Sequence, residues 1–169
     1  MVKELIYMIF CGTSAYPIIN SLWASIDKKG IIPTEIVLLA SGSQNSLEQI
    51  TKKVKIFIDS ILDHNCTIDL LMISEWDIEK NIDLLMKNID ESIQHGKKLV
   101  IDITPSRKTM SISGVLLVNK VISKKSLTLD YFQHLIYWHL IESDKYQSKW
   151  YPEIPRENFN FVDLMEVLR

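Results

Sequence analysis

The sequence predicts a doubly wound α/β domain: a mainly parallel sheet with helices on both faces and a β-rich extension at its C-terminal end. Three observations carry this. Apolar segments of strand length recur at residues 5–10, 35–40, 68–73 and 99–103. They are near-continuous rather than alternating, as expected of parallel strands buried on both faces. Helix-length stretches at 17–29, 46–64 and 77–95 lie between them. Four of the five glycines fall at the joins: Gly12 and Gly42 follow strands, while Gly30 and Gly96 follow helices where C-caps belong.

Each element has its own signal. The segment 5–10 (LIYMIF) is apolar throughout and ends at Cys11-Gly12, so the first helix begins beyond that turn and runs to Gly30. In the second helix, Leu47, Ile50, Val54, Phe57, Ile58 and Ile61 recur at three- and four-residue steps, with Lys52, Lys53, Lys55 and Asp59 between them. That is an amphipathic helix laid on a sheet. A fourth helix is expected over about 106–121, with Gly114 as the one glycine inside an element. Residues 127–132 and 135–141 read as two further strands, and 146–169 as a loop holding Pro152 and Pro155 that ends in a short strand or helix. The βαβαβαβ succession implies right-handed crossovers and a parallel sheet.

Composition bounds the function. At 169 residues the chain has room for one complete core, and the expected organisation is a single domain over 1–169. Hydrophobic residues at 47% and charged residues at 24% are in globular balance. No apolar run approaches bilayer length, and the N-terminus lacks a cleavage signature, so the expected location is the cytoplasm, with no membrane partner. Cys11 and Cys66 stand outside any metal-ligand or disulfide spacing and are expected as buried thiols; no metal or cofactor is expected. A net charge of -2 offers no general attraction to long nucleic acid, so an anionic ligand must be held locally.

In open doubly wound sheets, ligands bind beyond the carboxyl ends of the strands, where strand order reverses. In a Rossmann-like 3-2-1-4-5 order that point lies between the first and fourth strands. The turns there are Gly12-Thr13-Ser14 and Thr104-Pro105-Ser106-Arg107-Lys108, both rich in hydroxyls, the second with two cations. Each opens a helix whose free N–H groups favour an anion. Ser14, Thr104 and Ser106 each also fit an ordinary N-cap. Arg107 and Lys108 are harder to assign to structure, because cations in a first helical turn oppose the dipole by about 0.3 to 1 kcal/mol each.

The stretch Asp102-Ile103-Thr104-Pro105-Ser106-Arg107-Lys108-Thr109-Met110 resembles the D-x-T-x-G-x-K-x-M signature that follows the fourth strand of CARF domains, the CRISPR-associated Rossmann folds. Gly12-Thr13-Ser14 is similar to their first-strand turn, and Ser106 stands where the signature usually has glycine. The resemblance extends through the βα repeats to about Val121. It implies a homodimer that binds a cyclic oligoadenylate, most often cyclic tetra-adenylate, across its two-fold axis. Some members, the ring nucleases, also cut the ring, and residues at the positions of Ser14 and Lys108 matter for that cleavage. The chain's brevity favours such a standalone enzyme over a sensor with a trailing effector domain.

RNA brings its own nucleophile, the ribose 2′-hydroxyl, so positioning and charge stabilisation carry such a cleavage without a metal. On this reading Ser14 and Lys108 are catalytic, and Gly12, Thr13, Thr104, Ser106 and Arg107 line the ligand. Ser43 and Gln44, after the second strand, are candidates for reading an adenine edge, although an ordinary polar turn has the same residues. Trp76, after the third strand, is a candidate to stack on a base, with core packing as its alternative. His64 and His95 lie near helix ends and fit capping or solvated roles; His134 and His139 fit a core or interface. The alternatives are a non-cleaving sensor or sequestering module, and an ordinary dinucleotide enzyme, which the absence of GxGxxG and GxxxxGK[ST] disfavours.

Overall fold

The computed structural model describes residues 4–63, 65–105, 107–123 and 131–168. Its strands are β1 (Leu5–Cys11), β2 (Glu35–Ala40), β3 (Thr67–Met72), β4 (Lys98–Asp102), β5 (Phe132–Leu140) and β6 (Phe159–Asp163). They form one sheet in the order β3-β2-β1-β4-β5-β6. The first five are parallel and β6 is antiparallel to β5. The helices α1 (Ala15–Lys29), α2 (Gln44–Ile61), α3 (Ile78–Gln94) and α4 (Lys108–Ser123) are the crossovers, and α5 (Ser143–Tyr146) and α6 (Leu164–Leu168) flank the last strand.

The apolar continuity of β1 is explained by the two cores it serves. Ile6, Met8 and Phe10 point into the core beneath α3 and α4, with Leu85, Ile89, Met110 and Leu117. Tyr7, Ile9 and Cys11 point into the core beneath α1 and α2, with Ile18, Leu22, Val54 and Ile58. Helices on both faces leave the central strands no solvent side. Helix α4 is held close by Gly114: a Cβ there would lie 2.7 Å from Ile103 Cγ2 and 2.9 Å from the Phe10 ring. Gly30, at φ 62°, ends α1 in the left-handed conformation, and its amide bonds the Ile26 carbonyl.

The C-terminal part differs from the expected pair of strands. One strand runs unbroken from Phe132 to Leu140, Tyr131 is a turn residue before it, and residues 127–130 of the expected strand lie outside the described residues. The polar pair Gln133-His134 is a bulge rather than a break: Leu99 faces Phe132 while Val100 faces His134, leaving Gln133 as the extra residue. His134 is satisfied across the sheet, its Nδ1 2.6 Å from Asp163 Oδ2 on β6. The tail forms short 3-10 turns at Tyr151–Glu153 and Arg156–Asn158, then both β6 and α6. Cys11 and Cys66 are buried free thiols, pushed by burial to pKa values of about 12 and about 11. No helix among the described residues is long and apolar enough to cross a membrane.

Candidate functional site

All five parallel strands end on one rim, and strand order reverses there between β1 and β4. The two turns at this switch point are in direct contact, because a Cβ on Gly12 would overlap the carbonyl oxygen of Pro105. Glycine is required at position 12 by this close approach of two backbones. The structure therefore brings into contact the two turns that the sequence placed at one switch point.

Beneath them lies a buried polar network that the sequence reading overlooked. Asp102, fully buried at the end of β4, accepts hydrogen bonds from Tyr7 Oη at 2.8 Å, Ser21 Oγ at 2.5 Å and the Thr104 amide at 2.8 Å. Burial raises the Asp102 carboxyl above its ordinary range, although the bonds from Ser21, Thr104 and Tyr7 pull the other way. Burial and the neighbouring Asp102 hold the Tyr7 phenol well above its ordinary value of 10.0, so Tyr7 remains a donor. Thr104 Oγ1 accepts the Trp138 amide at 2.7 Å and lies 3.2 Å from Ser21 Oγ. Thr104 therefore ties the β4 turn to α1 and β5, a structural task for a residue also expected at the ligand. Asp102 heads the signature, but its partners Tyr7 and Ser21 lie far away in sequence.

The two cations of the turn separate in role. Arg107 forms an ion pair with Glu75, from the turn after β3, and Thr109 Oγ1 donates to the Glu75 carbonyl at 2.8 Å. The structural reason for Arg107 is this tie. Lys108, the first residue of α4, is exposed and makes no ion pair among the described residues. It is the cation available to an incoming anion at the helix N-terminus.

Ser14 caps α1, its Oγ accepting the Tyr16 amide at 3.3 Å, and retains its own hydrogen for donation. Thr13 and Ser14 line a cavity of about 200 Å³ whose cation is Lys53 of α2. Thr104 opens on a different cavity, of about 360 Å³, with Pro17, Asn20, Trp138 and His139. Ser43 and Gln44 stand exposed at the start of α2, Ser43 Oγ 3.0 Å from Ser46 Oγ and Gln44 Nε2 donating to Glu48 at 3.2 Å. Trp76 is 74% exposed, which removes the core-packing alternative. Ser106 and His64 lie outside the described residues. His95 bonds the Glu91 carbonyl at 2.7 Å as a helix-end residue does, and His139 is exposed beside Tyr137, whose Oη is 3.4 Å from its Nδ1.

No protein-family model matches the sequence, and no curated protein matches it. In architecture the chain is similar to three solved structures. One is a type III CRISPR defence DNA nuclease activated by cyclic oligoadenylate, at 18% identity and TM-score 0.51, covering 80% of this chain. Another is Can2 from Sulfobacillus thermosulfidooxidans in complex with cyclic tetra-adenylate, at 13% identity and TM-score 0.50, covering 83%. The third is Enterococcus italicus Csm6 bound to cyclic hexa-2′-fluoro-hexa-dAMP, at 16% identity and TM-score 0.61, covering 97%. The matches cover 18%, 33% and 42% of those chains, so this chain spans less than half of their length. The class is a Rossmann-like, mainly parallel α/β fold. Within that class the likeness to these three structures agrees with the resemblance of residues 102–110 to the CARF signature.

Proposed function

We propose that this chain binds a cyclic oligoadenylate, cyclic tetra-adenylate in particular, at a homodimer interface and cleaves it as a metal-independent ring nuclease, ending type III CRISPR signalling. The observation that supports it most is the contact of Gly12 with Pro105, which brings the hydroxyl turn of α1 and the cationic turn of α4 to one switch point. The three structural neighbours are cyclic-oligoadenylate-responsive or ligand-bound proteins of the same fold. A ligand with two-fold symmetry suits a two-fold dimer, each protomer presenting the same turns to half of the ring.

In this reading Lys108 and the free amides at the start of α4 stabilise the charge that builds on the phosphorane as the 2′-oxygen attacks. Ser14 fixes the ribose or phosphate by donating its hydroxyl hydrogen. The 2′-hydroxyl gives up its proton to solvent as its oxygen bonds phosphorus, the bond from phosphorus to the 5′-oxygen breaks, that oxygen takes a proton from solvent, and the linear product has a 5′-hydroxyl at one end and a 2′,3′-cyclic phosphate at the other. The second reading is a binder that senses or sequesters the ring uncut. Incubating the purified chain with cyclic tetra-adenylate and resolving the products separates the two: linear 2′,3′-cyclic phosphates are expected, whereas intact ring bound at stoichiometric amount removes the enzyme. Light scattering is expected to return twice the mass of the 169-residue chain.

A further inference from the structure

The cavity at Ser14 does not end there. It adjoins a second cavity of about 310 Å³ between α1 and α2, and Ala15, Tyr16 and Lys53 line both. The second cavity is walled by aromatic rings in two pairs. Tyr16 and Trp150 have centroids 4.3 Å apart, and Trp23 and Phe57 have centroids 5.2 Å apart. The first cavity is polar, with Ser14, Ser46 and Gln49 beside Lys53. An apolar aromatic recess of this volume, opening at one end on a few polar groups and a cation, has the make-up of a small-molecule site.

We infer that the paired cavities bind a nucleoside monophosphate unit, its base among Tyr16, Trp23, Phe57 and Trp150 and its phosphate on Lys53. Two features select this chemistry. A planar base gains stacking from faces such as Tyr16 and Trp150 whatever its hydrogen-bonding edge, which suits a recess built of rings. An aliphatic ligand leaves Lys53 without an anion at the shared mouth, whereas a nucleotide carries its phosphate one sugar away from its base. The site lies on the α1–α2 face and uses neither Lys108 nor the β4 turn; it shares the Thr13-Ser14 turn with the proposed cleavage site, and Lys53 and the aromatic rings belong to the recess alone. Lys53 was visible in the sequence only as one of the polar residues of an amphipathic helix; its meeting with Ser14 is a product of tertiary packing.

The test uses the full chain and its own fluorescence, since Trp23 and Trp150 report on the recess. AMP is expected to change tryptophan emission saturably, and adenosine to bind about tenfold more weakly, as befits the loss of one charged hydrogen bond. Lys53→Met is expected to bring AMP down to the adenosine level, and Trp150→Leu to remove most of the emission change, with circular dichroism checking that both variants fold. Adding cyclic tetra-adenylate to the AMP complex identifies the source: displacement assigns the unit to the ring, and persistence of AMP assigns a free mononucleotide, both being the proposed chemistry. Absence of a saturable response to AMP, or wild-type AMP affinity in Lys53→Met, overturns the inference.

Discussion

Lys108 and Arg107 are neighbours in sequence with different surroundings. Arg107 is spent on Glu75, so the helix dipole it opposes is offset by a carboxylate. Lys108 is left facing solvent at the start of α4. If ring cleavage depends on charge stabilisation, Lys108→Ala should slow product formation from cyclic tetra-adenylate by about a hundred- to a thousandfold. Wild-type turnover in that variant removes Lys108 from catalysis. Gly12→Ala tests the junction itself: the new methyl meets the Pro105 carbonyl, so either backbone must yield, at about 1 to 3 kcal/mol. A melting temperature unchanged from wild type means the turns are not in the contact described. At this scale the sequence singled out Lys108 as a candidate through the 102–110 signature and Ser14 through the first-strand turn. Glu75, Lys53 and the Tyr7–Ser21–Asp102 network were not, because each depends on a partner that only the folded chain brings near.

The strands show what pattern alone conveys. The first four strands were readable from apolar runs such as 5–10 and 99–103, and their observed order is that of the Rossmann-like arrangement assumed for the sequence. The unity of β5 was not, since Gln133-His134 interrupts the hydrophobic run and only the bulge and Asp163 accommodate it. Beyond Ile136, β5 outruns β4, and the side chain of Thr104 takes the place of a backbone acceptor for the Trp138 amide. Thr104→Val keeps the shape and deletes that acceptor, leaving an amide without its partner at a cost of about 1 to 3 kcal/mol. Denaturant unfolding measures this, and a loss under half a kcal/mol would show the bond to be dispensable. Gly114→Ala belongs to the same scale. Helix propensity favours alanine by about 1 kcal/mol, yet its methyl crowds Ile103 and Phe10, so the variant is expected to melt lower than wild type.

Across the whole molecule, two acids buried at different places in the sheet give the fold a pH response with terms of opposite sign. Asp163 is raised by burial but drawn down further by His134 and the amides of Leu135 and Met165, so its carboxyl lies below the ordinary 3.8. The unfolded chain, with that carboxyl near 3.9, takes up the proton first. The stabilisation from Asp163 is therefore complete above the unfolded value and is lost as the pH falls through the folded one. Asp102 works in the other direction, because burial sets its folded carboxyl above 3.8. Its favourable contribution is present at low pH and disappears as the pH rises through the folded value. Wild-type stability should accordingly fall in acid less steeply than Asp163 alone dictates. Urea unfolding between pH 3 and 7 tests both parts. Asp163→Asn should flatten the acid arm, since the carboxyl held low by its hydrogen bonds is gone, whereas Asp102→Asn should steepen it by removing the compensating group. Parallel stability curves for wild type and both variants would show that neither carboxyl titrates differently in the folded and unfolded chain.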